Sequence, residues 1–345
     1  MLLLESLPTV IGAAAIAPAL LVLWLVIAAD ERPGPPAQVW LAFVLGAASI
    51  SLLGLARVPF NALLAIPGDP WITQAIRSLF GVAAPEEIVK VLVIVVVSSR
   101  RRAFADPMDT VVYGAAAGLG FAAYENLAYL VLHKDMWRAL AALRSVLTVP
   151  FHGSLGIIAG AYLAIARSGG ALGAHRGNRD WARITSWALV LAAPIALHAA
   201  FDFPLLSLQR IPDLTSTERL LLGSASVLIG FSSIGFAVRL VRRVGKHHAP
   251  RTEVARERLS QLRRMWALLL IGGGAGFAGV AFLLTSLHHW YVNPERNASF
   301  ILVPIGFTSI LIGLALLVAT GAVYFLGRSR MRTAAEGFSS ASGPG

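Results

Sequence analysis

The chain is organised around apolar runs close to twenty residues long. The first, IGAAAIAPALLVLWLVIAA at 11–29, contains no charge. A helix of that length crosses the ~30 Å hydrocarbon core of a bilayer, and inside lipid only helices and closed barrels satisfy their own backbone groups. The composition agrees: 57% of the residues are hydrophobic and 14% charged, against about 25% charged in an ordinary soluble domain. The pattern predicts an all-α, polytopic membrane helix bundle. Nine transmembrane helices are expected, over 7–29, 38–57, 83–98, 109–132, 148–166, 184–203, 219–238, 265–287 and 300–327.

The charges orient this bundle. Most of the 29 Lys and Arg fall in alternate loops, at 100–102, 167–183 and 239–264, and in the C-terminal tail. The positive-inside rule makes those loops cytoplasmic and places the N-terminus outside and the C-terminus inside. The net charge of +11 is therefore accounted for by loops facing anionic lipid, and no nucleic acid is expected as a partner. The start, MLLLESLPTV, carries Glu5 and no basic residue, unlike a signal peptide, so the first run reads as a retained helix.

Four regions follow. Residues 1–82 hold two membrane helices and an irregular or re-entrant segment rich in Pro and Gly. Residues 83–203 form a four-helix core. Residues 204–327 hold three further membrane helices and the basic cytoplasmic segment 239–264. Residues 328–345 read as a disordered tail.

Ionisable groups inside membrane helices cost at least about 2.5 kcal/mol each and are rare without a task. Apart from Arg57, Asp109 and Arg219 at the very ends of spans, seven fall inside the expected spans: Glu86, Glu87, Lys90, Glu125, His152, His198 and Asp202. All lie on the third to sixth helices. Glu86, Glu125, His152 and His198 stand 14 to 16 residues from the polar markers Arg100, Asp109, Arg167 and Arg183 at the inner boundary. At about 1.5 Å per residue they share one layer about 21–24 Å from that boundary. Unrelated charges have no reason to share a depth, so the four helices are expected to build one site. His198 and Asp202, four residues apart, share a face; they could ligate one metal, or the aspartate could orient the imidazole. Glu87 and Lys90, three apart, could pair. Glu86 and Glu87 point about 100° apart and are not expected to do the same job. With Pro85 ahead of them, the glutamates either open a helix within the membrane or belong to a kinked helix that starts earlier. The chain has no cysteine, which excludes disulfides, thiolate ligands and a cysteine nucleophile, and leaves imidazole and carboxylate to hold any metal.

The segments EEIVK at 86–90, FAAYEN at 121–126, FHGSLG at 151–156 and HAAFD at 198–202 resemble the four motifs of the PrsW family of intramembrane proteases. That family belongs to a superfamily with the CAAX prenyl proteases and the bacteriocin-immunity proteins. Lys90 stands where the prenyl proteases usually have arginine, and Glu125–Asn126 where they usually have histidine; both departures look like the PrsW branch itself. The resemblance covers about 83–203. It implies site-1 cleavage of a membrane-anchored, single-pass protein such as an anti-sigma factor, in the bacterial plasma membrane.

On this reading Glu86, Glu87, Glu125, His152 and His198 are the candidate catalytic residues, with Glu86 the general base. His152, His198, Asp202 and Glu87 are the candidate ligands of a metal, Zn²⁺ by donor type; a glutamate–histidine mechanism without metal stands beside it. Lys90 and Asn126 are the expected structural or substrate-binding supports. Two other classes use similar residues: an ion- or proton-coupled transporter, and a non-catalytic immunity or scaffold protein on the same fold. A transport path needs polar groups at several depths, and this chain has one layer.

Overall fold

The computed structural model describes residues 7–28, 30, 34–65, 68–99, 106–168 and 179–245. The expected spans 265–287 and 300–327, most of the basic segment and the C-terminal tail lie outside the described residues. All regular structure among the described residues is helical. Helix α1 is Leu7–Ala28 and α2 is Pro36–Ala48, followed by short helical turns to Leu64. Next come α3 (Pro70–Ile76), a widened turn at Arg77–Ala83, and α4 (Ala84–Ser98). Then follow α5 (Pro107–Leu132), α6 (Trp137–Val146), α7 (Thr148–Arg167), α8 (Arg179–Arg210) and α9 (Ser216–Gly245).

Among the described residues, six helical stretches are long and apolar enough to cross a membrane: Ile11–Ala28, Pro36–Leu64, Pro107–Leu132, Lys134–Arg167, Asp180–Arg210 and Ser216–Gly245. They coincide with six of the seven spans expected within the described residues. The seventh, 83–98, differs. Helix α4 alone has 15 residues, but it continues without a break from α3 through the turn at 77–83. The run therefore begins at Pro70, where the Asp69 carboxylate accepts from the backbone N–H of Trp71 at 2.9 Å, a standard N-cap. Ala83, just ahead of α4, already has helical angles (φ −60, ψ −51). Of the two starts the sequence allows, the earlier is the one adopted. Glu86 and Glu87 sit inside a helix and have no helix-start dipole to draw on.

The reason lies in Pro85. A proline within a helix lacks an N–H, and its ring presses on the carbonyl four residues back. The turn at 77–83 has π-type hydrogen bonding, one residue wider than an α-turn, which gives that ring room; such turns kink helices and recur at functional sites.

Helices α4, α5, α7 and α8 form a ring: α5 packs along α7, α7 along α8, and α4 with its preceding turn closes against α5 and α8. Glycines set the spacing between α5 and α7. A Cβ at Gly114 would run into the carbonyl of Gly156, one at Gly118 into that of His152, and one at Gly160 into that of Thr110. This is the close approach that small residues permit in membrane bundles. At the ends of α4 and α7, Arg167 Nη1 donates to Ser98 O at 3.1 Å and to Ser98 Oγ at 2.7 Å, holding the two helices in register. Helices α1 and α2 cover one side of the ring through Leu23, Val39 and Phe43. On the other side α9 packs through Ala237, Leu240 and Val244.

Candidate functional site

All seven ionisable residues singled out in the sequence meet inside the ring. Glu87 is the hub. Its Oε1 lies 2.6 Å from Lys90 Nζ and accepts from His198 Nδ1 at 2.7 Å. Lys90 Nζ also lies 3.2 Å from His152 Nδ1 and 3.8 Å from Glu86 Oε2. His152 Nε2 is 3.0 Å from Glu125 Oε2. His198 Nε2 is 3.3 Å from Asp202 Oδ2 and 3.9 Å from Glu86 Oε2. Asn126 is buried one residue beyond Glu125 on α5.

The donor inventory fixes the hydrogens. An ammonium only donates, so His152 Nδ1 accepts from Lys90 and Nε2 carries the proton that goes to Glu125. His198 likewise gives its Nδ1–H to Glu87, which leaves Nε2 facing Glu86 and Asp202. The two adjacent glutamates thereby take different positions. Glu87 is committed to Lys90 and His198, whereas Glu86 Oε2, though buried, has no hydrogen-bond partner. Burial grades the cluster. Lys90 and Glu87 are 1% exposed and both histidines 2%, while the Glu125 and Asp202 side chains are 19% and 18% exposed and are its most open members.

Aromatic rings that were not among the expected site residues wall the cluster. Lys90 Nζ stands 4.3 Å from the centre of the Phe121 ring, a cation–π contact that favours the ammonium away from water. Phe151 stacks on Phe201 at 4.1 Å and meets His198 edge-on at 5.7 Å. The signal for them was present: Phe121, Phe151 and Phe201 lie within FAAYEN, FHGSLG and HAAFD. Prolines 194 and 204 lie inside α8 on either side of His198 and Asp202; freed carbonyls of that kind are tolerated where neighbouring helices cover them.

Among the described residues, Glu86, His152 and His198 bring one ligand atom each to within 4.8 Å of one another. Four carboxylates face one ammonium, and Glu86 Oε2, which has no hydrogen-bond partner, lies 3.9 Å from His198 Nε2, so the set fits a divalent cation. This triad shares His152 and His198 with the expected ligand set, adds Glu86, and lacks Glu87 and Asp202. Glu87 is not part of this triad; it orients His198 from behind, the usual place of a carboxylate that supports a ligating histidine. His152 can offer a lone pair only by giving up Lys90 or Glu125.

The class that the fold and the site define is an integral membrane protein with carboxylates and imidazoles gathered in a buried four-helix site. The family model described as PrsW family intramembrane metalloprotease matches residues 34–237, more than half of the chain and all four site helices. The chain belongs to that family. Proteins named Protease PrsW are similar to it. The one from Bacillus subtilis (strain 168) is 34% identical over 124 residues, 36% of this chain and 51% of that protein. The one from Oceanobacillus iheyensis is 30% identical over 193 residues, 55% of this chain and 80% of that protein. That from Geobacillus kaustophilus is 29% identical over 181 residues, 52% and 73% respectively. The chain thus matches about half the length of the Bacillus subtilis relative. No solved structure matches it.

Proposed function

We propose that this protein is an intramembrane endopeptidase that hydrolyses a peptide bond of a membrane-anchored protein near the outer face. The observation that carries the reading is the buried Glu86 carboxylate, whose Oε2 has no hydrogen-bond partner and lies 3.9 Å from His198 Nε2, and which brings a ligand atom to within 4.8 Å of one on His152. A carboxylate so placed takes a proton from water as the oxygen adds to the carbonyl carbon of the scissile bond. The developing oxyanion accepts from an imidazole N–H, that of His152 Nε2, which turns to it from the half-open Glu125. Glu86 then returns the proton to the departing amine as the C–N bond breaks. Lys90 holds Glu87 charged, and Glu87 holds His198 in its tautomer. A divalent ion, Zn²⁺ by donor type, would be held by Glu86 and His198 with His152, and when bound would supply Lewis acidity toward the carbonyl oxygen.

The substrate that suits the shared depth of the site is a single-pass protein cut on its extracytoplasmic side, an anti-sigma factor being the kind the family resemblance suggests. The orientation behind "outer" is that of the basic loops. Glu86→Ala and His152→Ala are each expected to abolish cleavage of a co-expressed single-pass substrate in liposomes; undiminished cleavage in either sinks the assignment. Elemental analysis of the same preparations, with and without chelator, separates the metal-bound form of the mechanism from the glutamate–histidine form.

A further inference from the structure

We propose that water reaches the buried cluster along α5, by the face that carries Glu125, Tyr129 and His133. The inference rests on the hydrolytic reading, because hydrolysis consumes a water that lipid does not supply. Five of the seven cluster residues are almost wholly enclosed, and only Glu125 and Asp202 have appreciable exposure. A carboxylate in contact with acyl chains is costly, so an open Glu125 calls for water or protein over it. Its own helix supplies the polar groups. Tyr129 and His133 follow at four-residue steps on the same face, with their rings 6.1 Å apart. Tyr129 is 20 residues beyond Asp109, about 30 Å along the helix and so at the edge of the hydrocarbon core, and His133 lies one turn further. The ladder thus joins the membrane surface to the cluster.

The side of Asp202 has a different character. One turn on from it stand Leu205 and Leu206, and the Trp71 ring lies 6.3 Å from that of Phe203. The next turn of α8 is thus apolar where that of α5 carries Tyr129, so the water route is assigned to α5.

The absence of cysteine makes the test direct, since any introduced thiol is the only one. In membranes opened to both faces, a charged, bilayer-impermeant thiol reagent is expected to label Tyr129→Cys and His133→Cys. It should label Tyr129→Cys at least about tenfold faster than Val131→Cys, the effect of a one-unit rise in thiol pKa on leaving water. Val131 is 46% exposed and about 3 Å from Tyr129 in height but turned about 200° around the helix, so depth cannot produce the difference. Glu125→Cys against Tyr124→Cys repeats the comparison one turn deeper. Equal rates within both pairs overturn the path. Hydroxyl-radical footprinting of the unaltered protein gives a second measure that needs no variant: Tyr129, 40% exposed, should be modified and Tyr124, 49% exposed, spared; equal modification again overturns it. A labelling difference in protein that cleaves no substrate keeps the path and removes the proteolytic reading, whereas cleavage without a labelling difference does the reverse.

Discussion

Lys90 is the residue on which the cluster depends most. It is 1% exposed and touches Glu87, His152 and Glu86 from one nitrogen. The expectation of a cation paired with Glu87 is met in the geometry. Its contact with His152, 62 residues away, was not visible in the sequence, because nothing in a helical spacing says which neighbouring helix a side chain will face. Lys90→Met leaves Glu87 as an uncompensated buried charge, an event that costs about 3–5 kcal/mol. The expected outcome is a lowered unfolding midpoint in detergent, with much of the loss regained when Glu87→Gln is added. A double variant as unstable as the single one would show that Lys90 acts through packing and not through charge. The same neighbourhood explains why two adjacent glutamates occur at all: one is held at hydrogen-bond distance by Lys90 and His198, and the other keeps an oxygen that makes no hydrogen bond.

At the scale of elements, the site depends on two local departures from a regular helix pair. The widened turn at 77–83 shifts the register of everything after it, so that Pro85 fits and Glu86, Glu87 and Lys90 face into the ring. The sequence signalled an irregularity through Pro85 and a short apolar run, yet not its resolution, since a helix start and a continuing kinked helix leave the same residues in the same order. The second departure is the close contact of α5 and α7. Gly118 abuts the carbonyl of His152, the residue that carries one of the imidazoles. Gly118→Ala is expected to push α7 away, costing about 1–3 kcal/mol by overpacking and lowering cleavage through the displaced His152. Gly235→Ala, on α9 with open space where the Cβ would be, should stay within about 0.5 kcal/mol of the wild type. Thermal unfolding of both variants, read beside their cleavage rates, checks the pair; equal effects would remove the claim that this contact sets the site.

For the whole molecule, the helix ring gives the cluster a fixed height. Glu86, Glu125, His152 and His198 lie 14 to 16 residues from the polar markers at one boundary, about 21–24 Å along their helices, and the tie between Arg167 and Ser98 anchors α4 and α7 at that end. A substrate whose scissile bond is moved about two helical turns toward that boundary, roughly 11 Å, should therefore escape cleavage, as followed by product mass in liposomes. Efficient cleavage of the shifted bond would place the working site at another depth.

What the sequence by itself determined is the membrane class, the helical architecture and the identity of the seven ionisable residues. Each follows from a local cost: apolar runs have to leave water, backbone in lipid has to pair with itself, and a charge there has to have a reason. Periodicity also fixed which of these residues share a helix face and a height. What only the tertiary structure decided is who pairs with whom: Lys90 with His152, Glu87 with His198, Glu86 with no hydrogen-bond partner, and Phe121, Phe151 and Phe201 as the walls. Those pairings depend on the rotation of each helix about its axis and on its choice of neighbour. Both are set by contacts between residues distant in the chain, the glycine–carbonyl approaches of α5 and α7 and the fit of the widened turn against α8, and no spacing within a single helix encodes them.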